Sequence, residues 1–340
     1  MKILVVLTGG TIGSDVKNGV ANVSDKAPKM LLDIFSKRDD IIFESVSPFN
    51  LLSENSDCET LARISSFMLS LDFDNYDGVI LTHGSDTLAY TSAMLGFVLS
   101  WVKIPVVITA ADYVLSSPRS NGFDNFNAAI DFILDFANEL HQNTGVFTIW
   151  KNRGEPVRVY ISTRLNEADG YLDKFSSWGG SAFGIMKNSH FIRTESEINP
   201  ISTKPCKGTE FFKFENLTFD KEILLLHSYV GLDFDAVSIK NKSAVLLKLY
   251  HSATACDGKD KTSFSKFAQK CISDLTDVYI CSSKNSDYRY QSSESISNIG
   301  IIPLNNISVI SAYCKLVLAY SLKEEKRNFI ISENLFYEHL

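Results

Sequence analysis

The chain opens with Lys2-Ile3-Leu4-Val5-Val6-Leu7-Thr8-Gly9-Gly10-Thr11-Ile12-Gly13, an apolar run that ends at a glycine-rich turn. A short continuous apolar run that meets glycine is typical of a buried parallel strand leading into a loop. The run is too short for the apolar region of a signal peptide, and no small-residue cleavage site follows it. We therefore interpret residues 2–7 as the first strand of an α/β sheet.

The same alternation of apolar runs and amphipathic stretches continues through the first half of the chain. Because crossovers between parallel strands are right-handed, this pattern predicts a doubly wound, flavodoxin-like parallel sheet with helices on both faces. The predicted strands are 2–7, 41–46, 78–81, 106–109 and 146–150, and the predicted helices are 27–37, 57–71, 87–101 and 121–137.

Between residues 188 and 219 the periodicity is lost, and Asn, Thr, Ser, Pro and Lys accumulate. This composition predicts a linker at 196–220 that joins a larger N-terminal domain (1–195) to a smaller C-terminal α/β domain (221–340). The predicted strands of the second domain are 222–226, 244–249, 278–281 and 299–302. Its predicted helices are 263–271, 294–299 and 309–320, with one more in the tail 323–340.

The composition excludes several classes of protein. The 340 residues carry a net charge of −7, which disfavours a nucleic-acid partner, because phosphate binding needs clustered Lys and Arg. The six cysteines form no C-x-x-C pair and indicate free thiols in a reducing compartment. The sequence contains no run of about 18 apolar residues, the length that would predict a membrane span. We expect a cytoplasmic protein whose partner is a small molecule, with no nucleic acid and no membrane.

Ligands of open parallel sheets bind beyond the carboxyl ends of the strands, where two unusual segments stand. The first runs from Thr8 to Gly13 and places Thr11 among three glycines. Its glycine spacing does not fit a dinucleotide fingerprint. Two interpretations remain: a plain turn, or a threonine nucleophile held in a turn lined by backbone N–H groups.

The second segment is Thr82-His83-Gly84-Ser85-Asp86-Thr87, which follows a predicted strand and precedes a predicted helix. Ser85 or Asp86 could simply cap that helix. A second hydroxyl-bearing glycine turn at a neighbouring strand end favours chemistry instead. For His83, between a buried strand and a glycine turn, we expect a structural hydrogen-bonding role rather than that of a general base.

These two segments look like the signature motifs of the bacterial-type L-asparaginase/glutaminase family. The contexts Tyr76-Asp77-Gly78, Leu88-Ala89-Tyr90-Thr91 and Arg119-Ser120-Asn121-Gly122 agree with it. The resemblance implies that the protein is an amidohydrolase converting asparagine, or a related amino-acid amide, to aspartate and ammonia through a threonine acyl-enzyme. It implies no metal or organic cofactor, and a homodimer or homotetramer whose sites are completed by a neighbouring subunit.

By motif position, the resemblance makes Thr11 the nucleophile and places Ser85 where threonine is usual. It makes Asp86 the partner of the substrate ammonium. The predicted catalytic residues are Thr11, Ser85, Asp86 and Glu167, the last of which the resemblance itself does not imply. The predicted substrate-binding residues are Gly10, Ser47, Gly84 and Asp86.

The sequence departs from the family at two places. No tyrosine occurs from Gly13 to Met30, and the place of the family lysine is taken by Glu167 or Asn166, depending on whether one counts from Arg164 or from Phe175. One hypothesis makes Glu167 the base, because two carboxylates that share a site do not both ionise easily. The alternative is a solvated loop carboxylate.

Arg164 either clamps a substrate anion or pairs with Asp169. Because the lysine and the tyrosine are missing, two other functions stay open beside the asparaginase reaction. One is a non-catalytic amino-acid-binding or sensor protein, and the other is an amidase for a different amide.

Overall fold

A computed structural model describes residues 1–10, 12, 14–17, 20–23, 31, 41–283 and 299–340. The chain divides into two compact units, Met1–Leu217 and Thr218–Leu340. Apart from Leu31 and Ile299, the predicted helices at 27–37 and 294–299 lie outside the described residues. Within the described residues, no helix combines the length and apolar character that crossing a bilayer requires.

The first unit is built on an eight-stranded mixed sheet and a separate two-stranded hairpin. The strands of the unit are β1 (Lys2–Leu7), β2 (Ser14–Lys17), β3 (Val20–Val23), β4 (Ile42–Val46), β5 (Gly78–Thr82), β6 (Pro105–Thr109), β7 (Gly145–Lys151), β8 (Val157–Ile161), β9 (Gly184–Lys187) and β10 (His190–Arg193). The large sheet has the order β10-β9-β8-β7-β6-β5-β1-β4.

Five neighbouring strands of that sheet, β4, β1, β5, β6 and β7, run parallel. Counted along the chain, they stand in the order 2-1-3-4-5, which is the flavodoxin-like arrangement. The predicted fold class is confirmed. Because β1 lies between β4 and β5, the strand order reverses there, and the crevice for a ligand is expected where β1 and β5 end.

The helices of this unit are α1 (Cys58–Leu69), α2 (Leu88–Val98) and α3 (Gly122–Ala137). Helix α1 begins where the Asp57 carboxylate accepts a hydrogen bond from Thr60 N at 2.8 Å. Helix α2 is almost entirely buried, which explains why its sequence is apolar all round. Since α2 starts directly after the second motif, its packing anchors the turn that carries Ser85 and Asp86.

Two parts of the first unit were not predicted. Residues 14–17 pair with 20–23 as an antiparallel hairpin, and β8, β9 and β10 extend the parallel sheet by antiparallel pairing. The Asn18-Gly19 dipeptide is the sequence signal that would have indicated the hairpin, because it favours the tight turn between paired strands.

The segment predicted as a linker contributes buried side chains to the first unit. Asn199 donates from its amide to Ala182 O at 2.8 Å, and the Thr203 hydroxyl donates to Thr144 O at 2.9 Å. Phe212 is fully buried. Residues up to 217 therefore pack as part of this unit rather than as a free connection.

The second unit is built on a four-stranded parallel sheet. Its described elements are β11 (Glu222–His227), β12 (Lys242–Lys248), α4 (Phe264–Ser273), β13 (Asp277–Ser283), β14 (Ile302–Asn305), α5 (Val309–Tyr320) and α6 (Glu324–Ser332). The strands stand in the order β11-β12-β13-β14.

Two predictions for the second unit were wrong in extent. The last strand begins at Ile302 instead of ending there, because Gly300, with φ of +84°, still belongs to the preceding turn. The strand continues through Pro303, which an edge strand tolerates. The tail is helical only to Ser332, after which the chain packs inward through Leu335, Phe336 and Glu338.

Candidate active site

The two motifs meet at the carboxyl ends of β1 and β5, which are neighbours in the sheet. The buried Thr8 hydroxyl donates to Thr82 O at 2.7 Å and so joins the two strand ends. Gly10 N donates to Leu51 O at 3.0 Å, and Leu51 N donates to Thr8 O at 2.8 Å. The turn after β1 is therefore held on one side by β5 and on the other by the segment that follows β4.

Glycine is required at both turns. Gly10 has φ of +75°, and a β-carbon there would lie 2.4 Å from Gly84 N. A β-carbon on Gly84 would lie 2.3 Å from Ser53 Oγ. Only residues without a side chain allow these backbones to approach so closely. The close approach brings the segment carrying Ser85 and Asp86 beside the end of β1.

Ser53 is a buried residue that the sequence analysis did not single out. Its hydroxyl donates to Asp86 Oδ2 at 3.2 Å, and its carbonyl oxygen accepts from Thr87 Oγ1 at 3.0 Å. Ser53 therefore fixes the orientation of the Asp86 carboxylate, which is otherwise exposed. In the sequence it is one of several serines in a polar stretch, so no local signal marks it.

His83 is buried and fully engaged in structure. One ring nitrogen, Nδ1, lies 2.8 Å from Gly84 O, and the other, Nε2, lies 3.0 Å from Thr91 Oγ1. A neutral ring satisfies both contacts, donating from Nδ1 and accepting at Nε2. Burial lowers the pKa of His83, although the contact with Gly84 O opposes this. The ring therefore joins the second motif to α2, in keeping with the structural role expected of it.

A cleft of about 530 Å³ lies in front of the second motif. Its lining brings together three of the four predicted catalytic residues, Ser85, Asp86 and Glu167. Five carboxylates line it: Asp86, Asp112, Glu167, Asp169 and Asp173. Among the described residues no Lys or Arg lines this cleft, so its field favours a cationic group of a ligand.

The structure separates the two residues that could stand in the lysine position. Glu167 lines the cleft and is exposed. Asn166 instead donates from its amide to Ser176 Oγ at 3.1 Å and lies outside the lining. Arg164 is buried, and its guanidinium donates to Ile198 O at 2.7 Å, so it supports the loop rather than facing the cleft.

The loop after β6 and the last residues of β7 supply side chains that the sequence analysis did not place in the site. The carboxylate of Asp112 accepts from Tyr113 N at 2.8 Å and from Asn121 N at 2.9 Å. Asp112, Tyr113 and Trp150 all line the cleft. Their signal is positional, because they lie at or just beyond the carboxyl ends of β6 and β7, at the same edge of the sheet where β1 and β5 end.

Some predicted site residues are not joined to this cleft. Thr11 lies outside the described residues. Ser47 follows β4, is exposed and does not line the cleft. Gly10 and Gly84 form the packed backbone contact beside it rather than its wall.

The fold and the site define an α/β protein with an acidic cleft beside the switch point of a flavodoxin-like sheet. The family model described as "Asparaginase, N-terminal" matches residues 2–197. This match covers more than half of the chain, and the chain belongs to the asparaginase family.

The curated relatives agree with this family but differ in what they are called. A glutamyl-tRNA(Gln) amidotransferase component from Methanosarcina barkeri is 29% identical over 61% of this chain and 48% of its own length. An L-asparaginase from Thermococcus kodakarensis is 35% identical over 39% of this chain and 40% of its own length. The chain thus spans less than half the length of these two relatives.

Solved structures share the fold over the whole chain. The thermostable L-asparaginase from Thermococcus kodakarensis superposes with a TM-score of 0.77 at 22% identity, covering 100% of this chain and 99% of that one. L-asparaginase I from Vibrio cholerae gives a TM-score of 0.73 at 18% identity, covering 100% of this chain and 99% of that one. At these identities the likeness establishes the fold.

Proposed function

We propose that the protein hydrolyses an amino-acid amide, asparagine or a related compound, to the corresponding acid and ammonia. The observation that carries this proposal is the shared cleft of Ser85, Asp86 and Glu167, set beside the Gly10–Gly84 contact that brings the first motif to the second. Membership of the asparaginase family and the L-asparaginase relative support it.

In the proposed reaction the Thr11 hydroxyl attacks the side-chain amide carbon, and its proton passes to Glu167. Backbone N–H groups of the first turn stabilise the oxyanion, which in such sites is commonly the largest catalytic contribution. Glu167 returns the proton to the leaving nitrogen as the C–N bond breaks, and ammonia departs. Water then attacks the ester carbon, and Glu167 accepts a proton from it. As the ester C–O bond breaks, Glu167 passes that proton to Thr11 Oγ, which releases the acid and restores the Thr11 hydroxyl.

Two further residues position the substrate in this proposal. Asp86, held by Ser53 Oγ, binds the ammonium of the amino acid through a charge-assisted hydrogen bond. Ser85 provides the second hydroxyl that orients the attacking water. The five carboxylates of the cleft add to the attraction for an ammonium group.

The role of Glu167 is tested by Glu167→Gln, which keeps the shape of the side chain and removes its basicity. We expect ammonia release to fall by about 10²-fold or more, the contribution of a positioned base. Glu197→Gln is the matched control, since Glu197 is exposed and does not line the cleft. An unchanged rate in Glu167→Gln would show that another group accepts the proton.

A second candidate is favoured by the absence of any Lys or Arg from the lining of the cleft in the described chain. A protein that binds an amino acid without cleaving it needs the ammonium site and not the proton acceptor. Calorimetry would then show asparagine or glutamine binding with no ammonia released. The amidotransferase components among the relatives add a third possibility, an amide other than asparagine.

The assembly and location of the protein also belong to this proposal. We propose a cytoplasmic homodimer or homotetramer, with the second unit of a neighbouring subunit completing each site. Light scattering on the purified chain gives the mass in solution. A monomer that is fully active would contradict a shared site.

A further inference from the structure

A second and smaller cavity, of about 200 Å³, adjoins the acidic cleft. The two cavities share four lining residues: Asp112, Tyr113, Trp150 and Asp173. Trp150, which is only 2% exposed, is one of these shared residues. A ligand in the cleft that extends past Trp150 therefore enters the smaller cavity.

The lining of the smaller cavity differs from that of the cleft because it includes cations. Three cations line it, Lys151, Arg153 and Lys174, whereas no Lys or Arg of the described chain lines the cleft. Of its two carboxylates, Asp112 already accepts from two backbone N–H groups. The smaller cavity thus holds cations as well as carboxylates, whereas the charged residues of the described cleft lining are all carboxylates.

Arg153 is the cation available to a ligand. Lys151 Nζ lies 2.6 Å from Asp124 Oδ2, and Lys174 Nζ lies 2.9 Å from Glu155 Oε1, so both lysines have anionic partners. Arg153 is exposed and forms no ion pair within the described part of the chain. Its planar guanidinium suits a carboxylate, which it can hold through two parallel hydrogen bonds.

Tyr171 stands at the rim of this cavity and is 92% exposed. Covering a large exposed ring with a ligand is favourable, because it removes apolar surface from water. Tyr113, in the loop after β6, also lines the cavity, so two loops each offer an aromatic side chain to the body of a ligand.

From these observations we infer that the natural substrate is longer than a free amino-acid amide and carries a carboxylate that Arg153 binds in the smaller cavity. The inference rests on the proposed function, because the cleft is taken to hold the ammonium and amide end. It specifies the substrate class as an amino-acid amide extended by an acidic group, such as an asparaginyl dipeptide with an acidic second residue.

The test compares two peptides of equal size on the full chain carrying Thr11→Ala, which removes turnover. L-asparaginyl-L-glutamate carries the carboxylates, and L-asparaginyl-L-glutamine amide replaces them with neutral amides. Isothermal titration calorimetry measures both dissociation constants. We expect the acidic peptide to bind about tenfold more tightly, the usual scale of one charge-assisted contact at a partly exposed site. The preference should fall as salt is added.

Arg153→Gln and Arg153→Glu should abolish the preference, while Lys103→Glu, an exposed cation away from both cavities, should keep it. Equal affinities in the Thr11→Ala chain, no binding of either peptide, or a preference that survives Arg153→Gln would overturn the inference. Ammonia release from asparagine by the wild type is measured separately. If asparagine is hydrolysed without any peptide preference, only the inference fails; if the preference appears without hydrolysis, the proposed function fails and the carboxylate site stands.

Discussion

Gly10 and Gly84 meet back to back across the ends of β1 and β5, so closely that a β-carbon on Gly10 would lie 2.4 Å from Gly84 N and 2.6 Å from Gly84 Cα. The atoms in the way are backbone and cannot rotate aside. The turn after β1 and the turn after β5 therefore form one packed unit, and the position of one fixes the position of the other.

Gly10→Ala should lower the free energy of unfolding by at least about 2 kcal/mol, because it combines a left-handed backbone with a backbone clash. Gly154→Ala separates the two effects. Gly154 has nearly the same φ, +73° against +75°, but nothing lies within 4 Å of its β-carbon position. Urea unfolding of both variants measures the two losses of unfolding free energy. Equal losses would mean that the clash with the Gly84 backbone adds no cost at position 10.

Ser53→Ala should reduce kcat/KM for amide hydrolysis by about tenfold, because it removes the hydrogen bond that orients Asp86. Ser56→Ala is the control: Ser56 Oγ accepts from Thr87 Oγ1 at 3.4 Å, and Ser56 does not contact Asp86 in the described structure. Steady-state ammonia release checks both variants. If Ser53→Ala matched the wild type, Asp86 would not depend on Ser53 for its position.

The stability of the fold should decrease in mild acid. Burial holds the pKa of His83 below its ordinary value, so the unfolded chain takes up a proton first as the pH falls. The His83 contribution is complete above about pH 6.5 and is lost below it, with a slope of at most about 1.4 kcal/mol per pH unit. Urea unfolding at about pH 7.5 and about pH 5.5 measures this loss.

His83→Asn should reduce that dependence without removing it, because burial lowers the pKa of His141 and of His339 as well. His251→Gln, at an exposed position, should leave it unchanged. A wild-type unfolding free energy that stays constant over the same interval would contradict a buried neutral ring at position 83.

The second unit contains a fully buried ion pair, with Lys315 Nζ 2.7 Å from Glu338 Oε1. The same ammonium donates to Glu333 O at 2.6 Å, and Glu338 accepts from Phe336 N at 2.8 Å. Glu338→Ala should cost about 3–5 kcal/mol, because it leaves a buried charge without its partner. The double variant Lys315→Met/Glu338→Leu should recover much of this loss.

An exposed pair in the same unit provides the comparison for this experiment. Lys266 Nζ lies 3.4 Å from Asp260 Oδ1, with the side chains 65% and 89% exposed. Lys266→Met should change the unfolding free energy by less than about 0.5 kcal/mol. A loss in Glu338→Ala as small as that would show that the buried pair does not hold the carboxyl-terminal segment in place.

Four parallel strands of the first unit, β1, β5, β6 and β7, were predictable because strands buried on both faces leave continuous apolar runs such as Ile3–Leu7. The edge strand β4 is mostly exposed and does not share this signal. The hairpin β2–β3 was missed, since its strands are short and do not alternate clearly between apolar and polar residues. The strand predicted at 299–302 exists as β14 but begins only at Ile302, because Gly300 belongs to the turn before it.

For the site, Ser85 and Asp86 were predicted from their place after a strand and Glu167 from the place of the family lysine; all three line one cleft, and their catalytic roles stay predictions. The supporting residues were not. Ser53 acts through a contact with Asp86, a residue 33 positions away, and only the folded chain defines that pair. Asp112 and Trp150 belong to the site because of strand order, which sets which loops become neighbours.

If Thr11 is the nucleophile of an amide hydrolase, the release of ammonia depends on its hydroxyl. Wild type and Thr11→Ala are incubated with asparagine, glutamine and the asparaginyl dipeptides, and the ammonia formed is measured. We expect the wild type to release ammonia from at least one of these amides and Thr11→Ala to release none above background. Release that persists in Thr11→Ala, or binding by the wild type without any release, would contradict it.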